Sequence, residues 1–84
     1  MSHPCMHYNN ACQAIGIEYD IEVKHVSGNI WEAQAKMLPE GATEKLILGE
    51  GVGKSCQAAK NEAARKAYLV LQQRFPELQF PALT

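Results

Sequence analysis

Gly51-Val52-Gly53-Lys54-Ser55 is the stretch of this chain whose residue types most directly suggest chemistry: glycines free a backbone to approach an anion, and a cation and a hydroxyl follow. A nucleotide-binding phosphate loop requires Gly-x-x-x-x-Gly-Lys-Ser/Thr, which places its first glycine at position 48, and that position is Leu48. The spacing therefore excludes a nucleotide hydrolase. His3, Cys5, His7 and Cys12 gather soft ligand types, but their spacing fits no zinc pattern, and Cys5 and Cys12 share the apolar side of a predicted helix; no metal is expected. No serine, cysteine or histidine stands in a recognisable catalytic context, and a chain of 84 residues leaves little room for a pocket. A non-catalytic domain without a cofactor is the expectation.

The elements that must carry these residues can be read from periodicity. After Pro4, which suits a first helical position, Cys5, Tyr8, Cys12 and Ile15 recur at helical spacing until Gly16. From Ile17 the period becomes two, with Ile17, Tyr19, Ile21 and Val23 on one face and Glu18, Asp20, Glu22 and Lys24 on the other. Ser27-Gly28-Asn29 is a turn, and Trp31, Ala33, Ala35 and Met37 then alternate with Glu32, Gln34 and Lys36, so a hairpin follows, with Trp31 in the core. Pro39-Glu40-Gly41 turns the chain into a third, short strand over 44–48, with Leu46 and Leu48 inward and Lys45 and Ile47 outward. The glycines of 49–53 are expected to break the sheet. Ser55 caps a helix to about Gln73 whose apolar stripe is Cys56, Ala59, Ala63, Ala67, Val70 and Leu71. The fold class is α+β, in the order α-β-β-β-α: a three-stranded antiparallel sheet with two helices packed on one face, spanning residues 4–75 between tails at 1–3 and 76–84.

Composition bounds the rest. Eight Lys and Arg against nine Asp and Glu give a net charge of −1, which taken whole argues against nucleic acid. The distribution reverses that argument. Residues 1–51 hold three lysines against seven acids, whereas residues 52–75 hold Lys54, Lys60, Arg65, Lys66 and Arg74 against Glu62 alone, so one end of the domain can face an anion. Three cysteines make no disulfide framework and point to a reducing, intracellular setting, cytoplasmic or nuclear. No apolar run approaches the roughly 20 residues of a membrane span, and no signal-peptide pattern opens the chain.

Taken with its helix, the run Gly51-Val52-Gly53-Lys54-Ser55-Cys56-Gln57-Ala58-Ala59-Lys60-Asn61-Glu62-Ala63-Ala64 resembles the C-terminal signature of double-stranded-RNA-binding domains, where a glycine-containing loop leads into Ser-Lys-Lys-x-Ala-Lys-x-x-Ala-Ala. Tyr8-Asn9-Asn10 stands where that family has Leu-Asn-Glu, and the element order is the family's. The resemblance implies shape recognition of duplex RNA in a protein of RNA processing or silencing. A-form RNA hides its base edges in a narrow major groove, so such domains touch 2′-hydroxyls in two minor grooves and phosphates between them. The implied contacts are Asn9, Asn10 and Gln13 on the first helix, Ser27, Gly28 and Asn29 in the hairpin loop, and Lys54, Ser55, Gln57 and Lys60 at the start of the second helix. Cys56-Gln57 replaces the family's paired lysines, leaving two cations where three are usual, and Ser27-Gly28-Asn29-Ile30 replaces its Gly-Pro-x-His. Weak binding is implied.

A local similarity points elsewhere. Gly51 to Ser55 with its Asn-acid-Ala-Ala helix looks like the last such domain of Staufen proteins, and Tyr19-Asp20-Ile21-Glu22 is similar to the third domain of Dicer partner proteins. Both types largely exchange RNA for protein contact. The similarity implies an alternative in which RNA binding is lost and Lys45, Leu46, Ile47 and Leu48 pair with a second copy or hold a protein partner.

Overall fold

Pro4 opens helix α1 (Pro4–Ile15), its fixed φ suiting a position where a backbone N–H has no helical partner, and Gly16 ends it at a φ of 82°. The computed structural model describes residues 4–78. After α1 come β1 (Glu18–Ser27), β2 (Ile30–Leu38), β3 (Leu46–Gly53), α2 (Cys56–Arg74) and a 3-10 turn at Pro76–Leu78. This is the α-β-β-β-α order expected. Residues 1–3 and 79–84, assigned to the tails, lie outside the described residues.

The sheet is antiparallel in the order β1-β2-β3, so β2 is central and β3 has an open edge. Tyr19 faces Met37, Ile21 faces Ala35 and Val23 faces Ala33, which puts the alternating apolar set of both strands on the helix side. Glu18, Asp20, Glu22, Lys24, Glu32 and Gln34 occupy the other face. Between β2 and β3, Pro39 to Ala42 closes a turn through Ala42 N–H to the Pro39 carbonyl, 3.0 Å, with Gly41 at a φ of 79°.

The third strand departs from expectation. It begins at Leu46 and runs through the glycines to Gly53, with Gly49 opposite Ala35, Gly51 opposite Ala33 and Gly53 opposite Trp31. The glycines do not break the sheet, because a ladder needs only backbone groups and these positions sit beneath α2. A Cβ built on Gly51 falls 2.5 Å from the Ala63 nitrogen and 2.7 Å from the Ala59 oxygen; one on Gly53 falls 2.7 Å from the Ala59 nitrogen. Glycine on the strand and alanine on the helix together let α2 lie against β3 at backbone contact. The register shifts between Ala35 and Lys36, which leaves Leu48 as the extra residue of a bulge. Leu48 is buried at 9% exposure, as expected; Leu46, opposite the buried Met37, is on the helix side but stays 44% exposed, because it opens an edge strand with no neighbour beyond it. Ile47 points outward at 49%.

Tyr8, Cys12, Tyr68 and Leu71 are the large fully buried side chains, closed around Ala33, Ala35, Ala59, Ala63, Ala64 and Ala67. Tyr68 and Ala64 join the face of α2 in place of Cys56 and Val70, which are only half-buried. Trp31 is also half-buried, not core: it lies at the hairpin end of the sheet, against His25. Tyr8 packs edge-on to Tyr19 and donates its hydroxyl to the Lys36 carbonyl at 2.7 Å, where the β2–β3 ladder shifts.

Burial pushes the Cys12 thiol up to about 11 and raises the Tyr8 phenol as well. The fold holds both groups neutral, whereas the unfolded chain ionises the thiol near its ordinary value of 9.0. Stability is therefore complete below pH 9 and falls as pH rises towards the folded value. Urea unfolding at a series of pH values is expected to show a loss on the order of 2 kcal/mol from Cys12 between pH 9 and 11. Cys12→Ala is expected to flatten that decline, leaving the component from Tyr8.

Candidate nucleic-acid interface

Ser55 has extended backbone, φ −145° and ψ 163°, and its Oγ accepts from the Ala58 N–H at 3.1 Å, so α2 starts with a satisfied cap. The first turn contains no acid, and the helix dipole leaves partial positive charge there. The cations of 52–75 then separate into two groups. Arg65 and Lys66 both pair with Glu62, and the Arg65 hydrogen bond holds the Glu62 carboxyl below its usual range. Arg74, in the last turn far from the cap, has no carboxylate in ion-pair range among the described residues. Among the described residues, neither Lys54 nor Lys60 has a carboxylate within ion-pair range. Lys54 is exposed ahead of the cap, and Lys60 is half-buried beside α1. Burial raises the Cys5 thiol, while the Gln57 hydrogen bond and then the charge of Lys60 pull it back down.

Gln57, expected to face RNA, is exposed but already engaged. Its amide donates to Asn61 Oδ1 at 3.0 Å and to Cys5 Sγ at 3.8 Å, and Cys5 in turn donates to Asn61 Oδ1 at 3.2 Å. This small network ties the start of α1 to the first two turns of α2. The sequence reading missed Asn61; its i, i+4 spacing from Gln57 was the available signal. On α1, Asn10 and Gln13 are exposed, whereas Asn9 is half-buried with an Oδ1 that finds no hydrogen-bond partner among the described residues.

The register places the remaining groups. His25 faces Trp31 and Trp31 faces Gly53, so the loop Ser27-Gly28-Asn29 and the Lys54-Ser55 junction lie at the same end of the sheet. Tyr8 reaches Lys36 near the other end, where Glu18 faces Leu38, so the middle of α1 and the hairpin loop are separated along the strands. Five acids, Glu18, Asp20, Glu22, Glu32 and Glu50, stand on the face of the sheet away from α2, with Lys36 hydrogen-bonded to Glu22 at 2.9 Å and Lys45 in an ion pair with Asp20 at 3.6 Å. The acidic excess thus lies on the face of the sheet away from α2, and the first turn of α2 holds no acid. No helix among the described residues is long and apolar enough to cross a membrane, and they contain no cluster of three or more metal-ligating side chains.

Comparison with known proteins bears on this arrangement. The family model for the double-stranded RNA binding motif matches residues 8–71, from Tyr8 in α1 to Leu71 in α2. No curated protein and no solved structure matches the chain. The matched stretch covers well over half of the 84 residues and takes in α1 from Tyr8, the hairpin, the glycine strand and the capped helix. That family is a binding motif and not a catalytic one, and duplex RNA is its partner. With the helix, three antiparallel strands and helix in place, the chain belongs to the double-stranded RNA binding motif family.

Proposed function

We propose that this domain binds duplex RNA weakly and by shape, through Asn9, Asn10 and Gln13 of α1, Ser27, Gly28 and Asn29 of the hairpin loop, and Lys54, Ser55, Gln57 and Lys60 at the start of α2, within a cytoplasmic or nuclear protein of RNA processing or silencing. The observation that carries the reading is the pair of lysines left without carboxylates at the acid-free, Ser55-capped start of α2. Phosphate is favoured there by the lysines, by the helix dipole and by the backbone donors of the first turn together. Weakness follows from the same count. Each phosphate contact contributes about 0.9 to the log–log salt slope on B-DNA, and two or three give a shallow dependence on duplex RNA if the order is similar. Gln57 contributes chiefly by holding α1 against α2, since its amide is already bonded. A titration with a duplex of roughly 16 base pairs, the span of such domains, is the test. Saturable binding that weakens with salt is expected, and no binding even at low salt overturns the reading.

A second reading, in which RNA binding is lost and the third strand pairs with another copy or a protein partner, is favoured by one observation. Leu46, Ile47 and Val52 are 44%, 49% and 60% exposed on the strand whose edge is open. Leu48 is buried and Lys45 is paired with Asp20, so the contact surface narrows to those three residues. An exposed, apolar strand edge offers main-chain hydrogen bonds to a second strand. Light scattering on a size-exclusion column is expected to show a concentration-dependent dimer that Ile47→Lys abolishes; a monomer at high concentration removes self-pairing.

A further inference from the structure

The hairpin loop is held by a contact that the strand ladder does not supply. Pairing between β1 and β2 is regular to His25 opposite Trp31, then skips Val26 and resumes only at Ser27 opposite Ile30. The tip that follows is Gly28, at a φ of 51°, and Asn29. A bulge directly before a glycine turn is a weak constraint on the tip. His25 compensates for it. Its Nε2 lies 2.6 Å from the Gly28 carbonyl oxygen, and its ring packs on Trp31 at 4.6 Å between centroids and 38° between planes. A carbonyl oxygen only accepts, so Nε2 carries the proton and donates. The imidazole is thereby fixed at both ends, by the indole on the neighbouring strand and by the backbone of the turn.

We infer that His25 is the positioning residue of the Ser27-Gly28-Asn29 loop: its Nε2–H to Gly28 and its packing on Trp31 hold the tip in one shape, and that shape sets the loop's share of duplex affinity. The inference about affinity rests on the RNA-binding reading above. Recognition by shape depends on a probe whose outline exists before contact, because a loop ordered only on binding spends interaction energy on its own ordering. A loop containing glycine, beside an unpaired bulge residue, has the most to lose in this way. Val26 and Ile30, both exposed beside the tip, are carried in the same fixed frame.

Two substitutions separate the components of the contact. His25→Phe keeps a ring against Trp31 and removes the donor; His25→Gln keeps a donor at similar reach and removes the ring. Nitrogen-15 relaxation of the free protein reads the loop directly. In His25→Phe the order parameters of Gly28 and Asn29 are expected to fall from about 0.85 towards 0.6, with Gln restoring them in large part. Duplex affinity is expected to fall about fivefold in His25→Phe and to recover in His25→Gln, while thermal unfolding and far-ultraviolet circular dichroism report an intact sheet in both. Unchanged order parameters in His25→Phe overturn the inference. A loosened loop with unchanged affinity overturns the positioning role. If the wild-type domain binds no duplex, the RNA reading fails by itself, and the relaxation comparison still decides whether His25 holds the loop.

Discussion

Gly51→Ala is expected to destabilise the domain by about 3 kcal/mol or more, enough to populate unfolded chains at ordinary temperature. The substitution adds one methyl group, and alanine is no worse than glycine as a strand residue. The penalty comes from where the methyl lands. Its carbon falls 2.5 Å from the Ala63 nitrogen, 2.7 Å from the Ala59 oxygen and 2.7 Å from the Glu62 Cβ, and the first two are helix backbone that no rotamer change can clear. Either α2 lifts from β3 or the strand bows away from β2, and both open the alanine-lined core. Gly41→Ala is the matched control. Its φ of 79° strains an alanine, but nothing lies within 4 Å of the added carbon, so a cost of roughly 1 kcal/mol is expected. Urea unfolding of the two variants against wild type checks both values. Equal, small losses would show that α2 can be displaced cheaply, against the packing described here.

Lys54→Ala combined with Lys60→Ala is expected to reduce duplex affinity by on the order of tenfold per lost contact at 0.1 M salt, and to lower the log–log salt slope by about 0.9 per contact. The informative comparison is Arg65→Ala combined with Lys66→Ala, which removes the same formal charge from the same basic segment, residues 52–75. Both of those cations already share Glu62, whereas Lys54 and Lys60 have no carboxylate in range. If net charge alone governed binding, the two double variants would behave alike. Local pairing predicts a large loss in the first and a small one in the second. Fluorescence anisotropy on one labelled duplex across a salt series separates these outcomes, with circular dichroism confirming that α2 remains helical.

The two sets of glycines explain why some of the fold was legible and some was not. Gly16, Gly28 and Gly41 end a helix or turn a chain, which are local tasks, and their neighbours in the sequence announce them. Gly49, Gly51 and Gly53 read locally as a break because an isolated glycine disfavours a strand; their place in β3 follows from a helix that begins several residues later. Leu46 and Leu48 show a related limit. Alternation places both inward, and Leu46 does stand opposite the buried Met37, yet at the start of an edge strand it stays exposed. The alternation of β2 places Trp31 on the core face, yet its position at the hairpin end leaves it half-buried against His25.

The candidate site divides in the same way. Its residue types and their order were visible: Ser55 as a cap, lysines on either side of it, amides on α1 and a small-residue loop between two alternating strands. Which of those groups are free to act was decided by tertiary contact. Gln57 is drawn into the network with Cys5 and Asn61, Arg65 and Lys66 share the one carboxylate of Glu62, and Lys54 and Lys60 have none in range.

The sequence by itself determined the α-β-β-β-α order and the basic character of the second helix, because hydrophobic period, caps and charge count are properties of neighbouring residues. The tertiary structure alone decided that a glycine strand lies beneath an alanine helix, that Arg65 and Lys66 share Glu62 while Lys54 and Lys60 have no carboxylate in range, and that a histidine on β1 is bonded to the hairpin tip. Each of these depends on distances between segments far apart in the chain, and no local pattern encodes such a distance.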